Sequence, residues 1–287
     1  MRVCDIRAVD MSLEGFPRLL REWRQKRRWS QLDLALSSGV SQRHISFLES
    51  ARANPSRAMI LQLSEALDVP LRTRNLWLTA AGFAPIYRTR ALDDPQMAQV
   101  MGAVRMMLRA HEPYPALALD RAWNVLIANR PFEALTALLG ADIWARVGEP
   151  GAESPRNLMR LFFHPGGIRA LVANWSAVGP LLWQRAMREA QAAGGTDMLA
   201  VLDSLAPFQE PEILWSAMES ALLPVVPFTL AVGDVRISMF AVIATFGTAQ
   251  DVTTDELRIE TLFPADAETE ALFRAMPLPP LPEDGLQ

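Results

Sequence analysis

Ala35 and Gly39 stand four residues apart within residues 30–56, SQLDLALSSGVSQRHISFLESARANPS. This spacing constrains the chain more than any other feature. A small residue is needed where two helices cross closely, and a glycine where the turn between them takes left-handed backbone. Val40, Ile45 and Leu48 follow at the spacing of a buried stripe. Ser41 is placed to N-cap a second helix running to about Ser50. The outward face of that helix carries Gln42, Arg43, His44 and Ser46, residue types that hydrogen-bond base edges and phosphates. The pattern reads as a helix-turn-helix, whose second helix lies in the major groove of DNA. A helix pair with a packing role alone is the alternative.

The stretch from Phe16 to Trp77 resembles the helix-turn-helix of the Xre (Cro/C1-type) regulators. The resemblance rests on Ser30-Gln31, Leu34-Ala35, Gly39-Val40-Ser41, Ile45-Ser46, Glu49, Arg52, Asn54-Pro55-Ser56 and Leu67-Asp68-Val69. Where that family usually has Gly two positions after Glu49, this chain has Ala51. A left-handed Ala costs roughly 1 kcal/mol relative to Gly, so a differently shaped helix end is expected there. The DNA-contact candidates are Gln31, Ser41, Gln42, Arg43, His44, Ser46, Arg52 and Asn54. Gln42 and Arg43, with His44 and Ser46, are expected to read base edges. Gln31, Arg52, Asn54 and the first-helix cluster Arg24, Lys26, Arg27 and Arg28 are expected to hold phosphates; a solvated face is the plainer account of part of that cluster.

Charge divides the chain in the same place. Residues 1–90 carry 15 basic and 8 acidic residues, a formal +7, whereas the rest carries 13 and 24, a formal −11. A basic head on an acidic body suits a nucleic-acid-binding domain joined to one that does not bind DNA. With 287 residues, half of them hydrophobic, two cores can be filled. The single cysteine, Cys4, excludes an internal disulfide and a multi-cysteine zinc site, and fits a reducing cytoplasm. No signal-peptide pattern or spanning apolar run is present; the longest candidate, Ala221–Gly233, is broken by Pro224 and Pro227. A cytoplasmic protein without membrane contact is expected.

The expected organisation is a helix-turn-helix domain over residues 1–85, a linker at 86–94, a second domain at 95–276 and a disordered tail at 277–287. The head should hold five helices: Phe16–Arg28, two within residues 30–50, about Arg57–Leu67, and about Leu71–Ala80 stopped by Gly82. Asp94-Pro95 starts another helix, with Met97, Val100, Met101, Val104, Met107 and Leu108 on one side, read as adaptable core or as a dimer seam. Residues 115–128 read as two short strands around Asp120-Arg121. Helix starts follow at Asn129, Ser154-Pro155, Thr196 and Glu210-Pro211. Strands return at Val226–Val232 and Val235–Ile243 around the turn signal Gly233-Asp234, then at Leu257–Phe263, before a helix at Asp266–Met276. Two strands, a helical insert and three strands is the order of a PAS-type sensor. The fold class is therefore α+β: an all-α five-helix head and a PAS-like antiparallel sheet with a helical insert.

A second resemblance covers most of residues 92–275. His111-Glu112-Pro113-Tyr114-Pro115-Ala116, Trp123-Asn124-Val125, Asn129, Asn157-Leu158, Leu161-Phe162 and Asn174-Trp175 resemble the ligand-binding domain of MmyB-like transcription regulators, in which an Xre-type head is joined to a PAS-related module. These motifs mostly carry fold.

Catalytic patterns are missing from the sequence: no HExxH, GxSxG, GxGxxG or P-loop appears, which points away from an enzyme. The three histidines are His44, His111 and His164. A structural role suits His111; haem ligation by His164 has no second signal. A flavin photosensor needs a cysteine beside the ring, and Cys4 is outside that domain. No metal or tightly held cofactor is expected. Large apolar residues suit a cavity for an apolar small molecule, and a fatty-acid-like chain gains about 0.8 kcal/mol per buried methylene. The ligand-contact candidates are His111, Tyr114, Arg121, Phe132, Leu161, Phe162, Trp175 and Phe240. Of these, His111, Tyr114 and Arg121, with Arg130 and Arg160, are placed to meet a carboxylate. Ordinary core packing is the alternative for each aromatic. Together these readings describe a homodimeric regulator that binds double-stranded DNA under the control of an apolar ligand. The rival is a regulator or antitoxin whose second domain grips a protein partner.

Overall fold

The computed structural model describes residues 15–148, 154–193, 196–208 and 225–280. The helix start expected at Glu210-Pro211 and most of the tail lie outside these residues. The chain forms two compact units: one holds the residues up to Arg90 together with Thr248–Asp255, the other Ala91–Gly247 and the residues from Glu256 onward.

The first unit contains α1 (Phe16–Lys26), α2 (Gln31–Ser38), α3 (Gln42–Glu49), α4 (Arg57–Ala66) and α5 (Leu71–Ala80). Serines start three of them: Ser30, Ser41 and Ser56 accept backbone N–H bonds from Asp33, His44 and Met59, each satisfying a donor the helix leaves unpaired. Left-handed residues end all five: Arg28, Gly39, Ala51, Asp68 and Gly82. After four of these the next N–H bonds back five residues, as Trp29 to Arg24, Arg52 to Phe47, Val69 to Ser64 and Phe83 to Leu78, the bond that closes a Schellman motif. Ala51 thus keeps the family's left-handed turn, with φ 56°, contrary to the altered helix end expected from its side chain. The five helices enclose Phe16, Leu20, Leu34, Ile45, Leu48, Leu63 and Trp77. Residues 88–90, read from the sequence as linker, are bonded within this unit. Val252 N–H donates to Arg88 O at 2.9 Å, Thr253 Oγ1 to Arg90 O at 2.7 Å, and Arg90 pairs with Asp251.

In the second unit a 3₁₀ turn, Pro95–Met97, leads into α6 (Ala98–Ala110). The strands are β1 (Ala116–Leu119), β2 (Val125–Ala128), β3 (Phe228–Val232), β4 (Val235–Ala244) and β5 (Arg258–Pro264). They form one antiparallel sheet in the order β2-β1-β5-β4-β3. Its two faces follow from the period of two. Leu117, Leu119, Ile237, Met239 and Leu262 join one core with the insert helices. Ala116, Ala118 and Ile259 join Met101, Val104 and Leu108 of α6 on the other. The centre of the sheet, at β1 and the residues of β5 beside it, is thus buried on both sides, while Val242 and Ile243 of β4 are exposed. Met107, expected inward, is 41% exposed, as is its neighbour Met106 at 72%.

The insert between β2 and β3 contains α7 (Arg130–Leu139), α8 (Ile143–Val147), α9 (Leu158–Phe163), α10 (Trp175–Ala193) and α11 (Thr196–Leu205). The helix expected from Ser154-Pro155 begins later, at Leu158, because the chain first runs against the Trp123–Val125 turn. Val125 N–H donates to Arg156 O and Leu158 N–H to Trp123 O, which leaves Asn157 as the cap. Three asparagines fasten the insert. Buried Asn129 donates from Nδ2 to Leu108 O and Tyr114 O, and its Oδ1 accepts from Ala116 N and Phe132 N, all within 2.8–3.1 Å. Asn157 bonds to Ala122 O and Asn124 Oδ1. Asn174 spans Pro227 O and Thr229 N. The sheet is closed by the helix Ala267–Ala275, capped by Asp266.

Two stability predictions follow from these caps. Asn129→Ala strands two buried carbonyls and two buried N–H groups, each worth about 1–3 kcal/mol when left unmade. A loss of about 4 kcal/mol is expected in urea unfolding of the second unit, and a loss under about 1 kcal/mol would contradict the role given to Asn129. Ala51→Gly removes a left-handed Cβ and should stabilise the first unit by up to about 1 kcal/mol, measured by thermal melting; destabilisation would show that the turn carries no strain.

Candidate DNA-reading face and ligand cavity

In α3 the apolar residues Ile45 and Leu48 are buried, which turns Gln42 and Arg43 to solvent and leaves His44 and Ser46 half-buried. The Arg43 guanidinium lies over the Phe47 ring at 5.3 Å. Ser41 Oγ is engaged as the helix cap. Arg52 and Asn54 are exposed in the turn after α3. The exposed residues therefore cluster at the N-terminal half of α3 and in the turn that follows it.

Three of the expected phosphate ligands, Arg24, Gln31 and Arg27, have another bond. Arg24 grips Glu49 through Nε at 2.6 Å and Nη2 at 2.9 Å, and Gln31 Nε2 donates to the same carboxylate at 2.9 Å. Arg21 donates to the Glu49 carbonyl at 2.7 Å. Burial alone would raise the Glu49 carboxyl, but the bonds from Arg24 and Gln31 outweigh it and hold the group below the usual carboxylate range. A depressed carboxyl stabilises the fold above its unfolded value and ceases to do so as pH falls through the folded one. This clasp joins α1, α2 and α3 and persists at neutral pH. Arg27 bonds to Asp68 at 2.9 Å, and Lys26 lies over Trp23.

The second unit encloses a cavity of about 320 Å³ between sheet and insert, within the range of small-molecule sites. Two helices contribute stripes at helical spacing: Phe132, Leu135, Thr136 and Leu139 from α7, and Val178, Leu181, Leu182, Arg185 and Arg188 from α10. Leu161 and Phe162 of α9 and Leu117, Phe228, Leu230, Ala241, Glu260 and Leu262 of the sheet complete most of the wall. Phe132, Leu161 and Phe162, ligand-contact candidates from the sequence, line this cavity.

The other expected ligand contacts are not among the lining residues. Phe240 alternates with Met239 and Ala241, so it faces away from the cavity and stacks on Phe263 at 5.6 Å. Trp175 packs on its own helix against Gly179, where an added Cβ would come within 2.7 Å of the indole, and meets Phe163 edge-on. His111 Nε2 donates to Leu262 O at 2.9 Å, Tyr114 Oη donates to Glu270, Arg121 pairs with Asp197 and Glu256, and Arg130 pairs with Glu112. These groups serve the fold.

The polar corner of the cavity was not foreseen. Arg185 Nε donates to Glu189 at 2.8 Å, and the other Glu189 oxygen accepts from Trp123 Nε1 at 2.8 Å. The guanidinium lies over Trp123, 4.4 Å from the ring centre. Trp123 reaches this place from left-handed backbone, φ 66°, an outlier for a bulky residue. Glu260 is 7% exposed, and its Oε1 is 3.6 Å from Arg185 Nη1. Burial pushes the Glu260 carboxyl up, and Glu189 adds to this against the opposing pull of Arg185. The signal was present in the sequence: residues 178, 181, 182 and 185 repeat at helical spacing, and Glu260 lies two residues from Leu262, on the same face of its strand.

Among known proteins, the model of the MmyB-like transcription regulator ligand binding domain matches residues 100–276, and a helix-turn-helix model matches residues 20–73. No curated protein matches. One solved structure, an RNA-binding light-oxygen-voltage receptor, aligns at 15% identity over 85% of this chain with a TM-score of 0.24. The chain spans 54% of the length of that receptor. With the cavity enclosed by the matched residues and the helical head preceding it, the chain belongs to the MmyB-like transcription regulators.

Proposed function

We propose that the protein is a sequence-specific DNA-binding transcription regulator controlled by an apolar small molecule held in the second unit. The observation that carries this reading is the cavity walled by Leu, Phe and Val side chains inside a matched ligand-binding domain. The ligand proposed is a fatty-acyl-like chain. The helix–sheet–helix arrangement, with β1 and β2 preceding the insert and β3 to β5 following it, supports a PAS-related module. Gln42 and Arg43 read base edges, with His44 and Ser46 beside them and Ser41 setting the helix start. Arg52 and Asn54 hold phosphates, and Gln31 acts through the clasp on Glu49. The working form is a homodimer in the cytoplasm, since a head of this size covers a few base pairs and such heads bind two-fold sites. Exposed Met106 and Met107 on α6 offer apolar surface for it. Ligand binding shifts the regulator only by its differential affinity for two arrangements of the dimer.

An arginine–guanine contact is worth about 1–3 kcal/mol of discrimination. Arg43→Ala should weaken operator binding roughly ten- to a hundredfold in fluorescence anisotropy, with two chains per site by sedimentation. Unchanged affinity would remove the base-reading assignment, and one chain per site the dimer. For the cavity, decanoate or 1-decanol should raise the melting temperature of the full chain. At a hundred times the dissociation constant the gain is about 2.7 kcal/mol. Phe162→Ser should reduce that gain more than it reduces the stability of the ligand-free protein. A stoichiometric protein partner in native mass spectrometry, with no response to either amphiphile, would support the protein-binding rival.

A further inference from the structure

The chain between β4 and β5 makes an excursion out of the second unit. Thr248–Asp255 belong to the first unit, yet both strands they join line the cavity, β4 through Ala241 and β5 through Glu260 and Leu262. The main chain thus passes between the units three times, after Arg90, before Thr248 and after Asp255. Residues 245–247 and 256–257 are the stems of the excursion. Leu257 is buried with Ile259 in the core beneath α6, and Ala244 and Phe246 pack against the same core. Packing of that kind does not deform continuously, so the stems move with the sheet.

Within the head the excursion holds the start of α5 and the chain that follows that helix. Asp255 Oδ2 accepts from the N–H of Leu71, the first residue of α5, at 3.1 Å. Thr253 Oγ1 accepts from Arg90 N at 3.1 Å and donates to Arg90 O at 2.7 Å. Val252 N–H donates to Arg88 O, and Asp251 pairs with Arg90. Asn75 of α5 holds the preceding residues: its Oδ1 accepts from Ile86 N and Tyr87 N, and its Nδ2 donates to Tyr87 O. Through α5 these bonds bear on the DNA-reading face. Trp77 meets Phe16 and Trp23 of α1 edge-on, and α1 grips Glu49 of α3 through Arg24. The docking is largely polar, around the fully buried side chain of Val252; elements that open and close in the native state are built this way, with few buried apolar contacts. We infer that Thr248–Asp255 is the element that carries the state of the cavity to the DNA-binding head. Docked, it fixes residues 86–90 and the start of α5. A cavity ligand acts on the head by biasing the docked form through β4 and β5, to the extent that it binds the two forms differently. This inference rests on the cavity reading above and goes beyond it to the route of the signal.

Amide hydrogen exchange of the full-length chain, resolved by residue, tests it. Asn129→Ala weakens the second unit outside the excursion and its stems. Protection should fall at Leu262 N–H, which bonds to Pro115 O at 2.9 Å. It should fall with it, about tenfold or more, at Leu71, Arg90 and Val252, whether the second unit is loosened or unfolds. Wild-type protection at these three amides beside a loss at Leu262 would overturn the inference. The double variant Asp251→Ala/Thr253→Val cuts docking bonds and leaves the cavity wall intact. On that background Asn129→Ala should leave exchange at Ile86 and Tyr87 unchanged; a further loss there would show that the second unit reaches the head by another route, and would also overturn it. 1-Decanol added to the wild-type chain should slow exchange at Leu262 and at the three docking amides together. A response at Leu262 alone would contradict the transmitting role. No response at Leu262 would refute the apolar cavity reading instead, and the Asn129→Ala result would still decide the role of the excursion.

Discussion

Four hydrogen bonds to one amide hold the second unit together. Asn129 joins the end of α6, the start of β1 and the start of α7 from a fully buried position. Its amide is fully used, with two donors and two acceptances, and that completeness makes a buried polar group a gain rather than a cost. Asn157 and Asn174 repeat the device at the start of α9 and at β3. The cavity exists because of this arrangement. Helices that packed on the sheet by apolar contact alone would slide inward to fill the space, whereas helices pinned at their ends by directional bonds can leave room between their stripes and the strands.

Element order was legible in the chain, and so was the head down to single caps. Ser30, Ser41, Ser56 and Gly39 act as their residue types dictate. Ala51 was misread because propensity is a local cost, and the packing of α3 against its neighbours outweighs about 1 kcal/mol. The start of α9 was misread for a related reason. Ser154-Pro155 is a sound local signal, but bonds from Trp123 and Val125, some thirty residues away, take that backbone first.

The ligand cavity was legible in half. Phe132, Leu161 and Phe162 lie on helices whose buried face the 3.6-residue period identifies. Phe240 failed because strand parity, which decides between two opposite faces, depends on the register with β5, and a side chain one position off points the wrong way. The candidate carboxylate partners failed differently. Arg121, Arg130 and Tyr114 are polar groups near apolar ones in sequence, but each finds an acidic partner within the fold. Composition cannot tell a paired arginine from one facing a cavity.

β5 carries the consequence. Its residues alternate between the cavity, through Glu260 and Leu262, and the core beneath α6, through Ile259. β5 therefore joins the cavity wall to a helix that does not line the cavity. Interiors packed to crystal-like density do not deform continuously. A displacement of Glu260 or Leu262 is passed to Ile259, and through it to Met101, Val104 and Leu108, or it does not occur. The strand that lines the cavity is thus also the strand able to report a change in it, and the size of any report is bounded by how differently a ligand binds the two positions of β5.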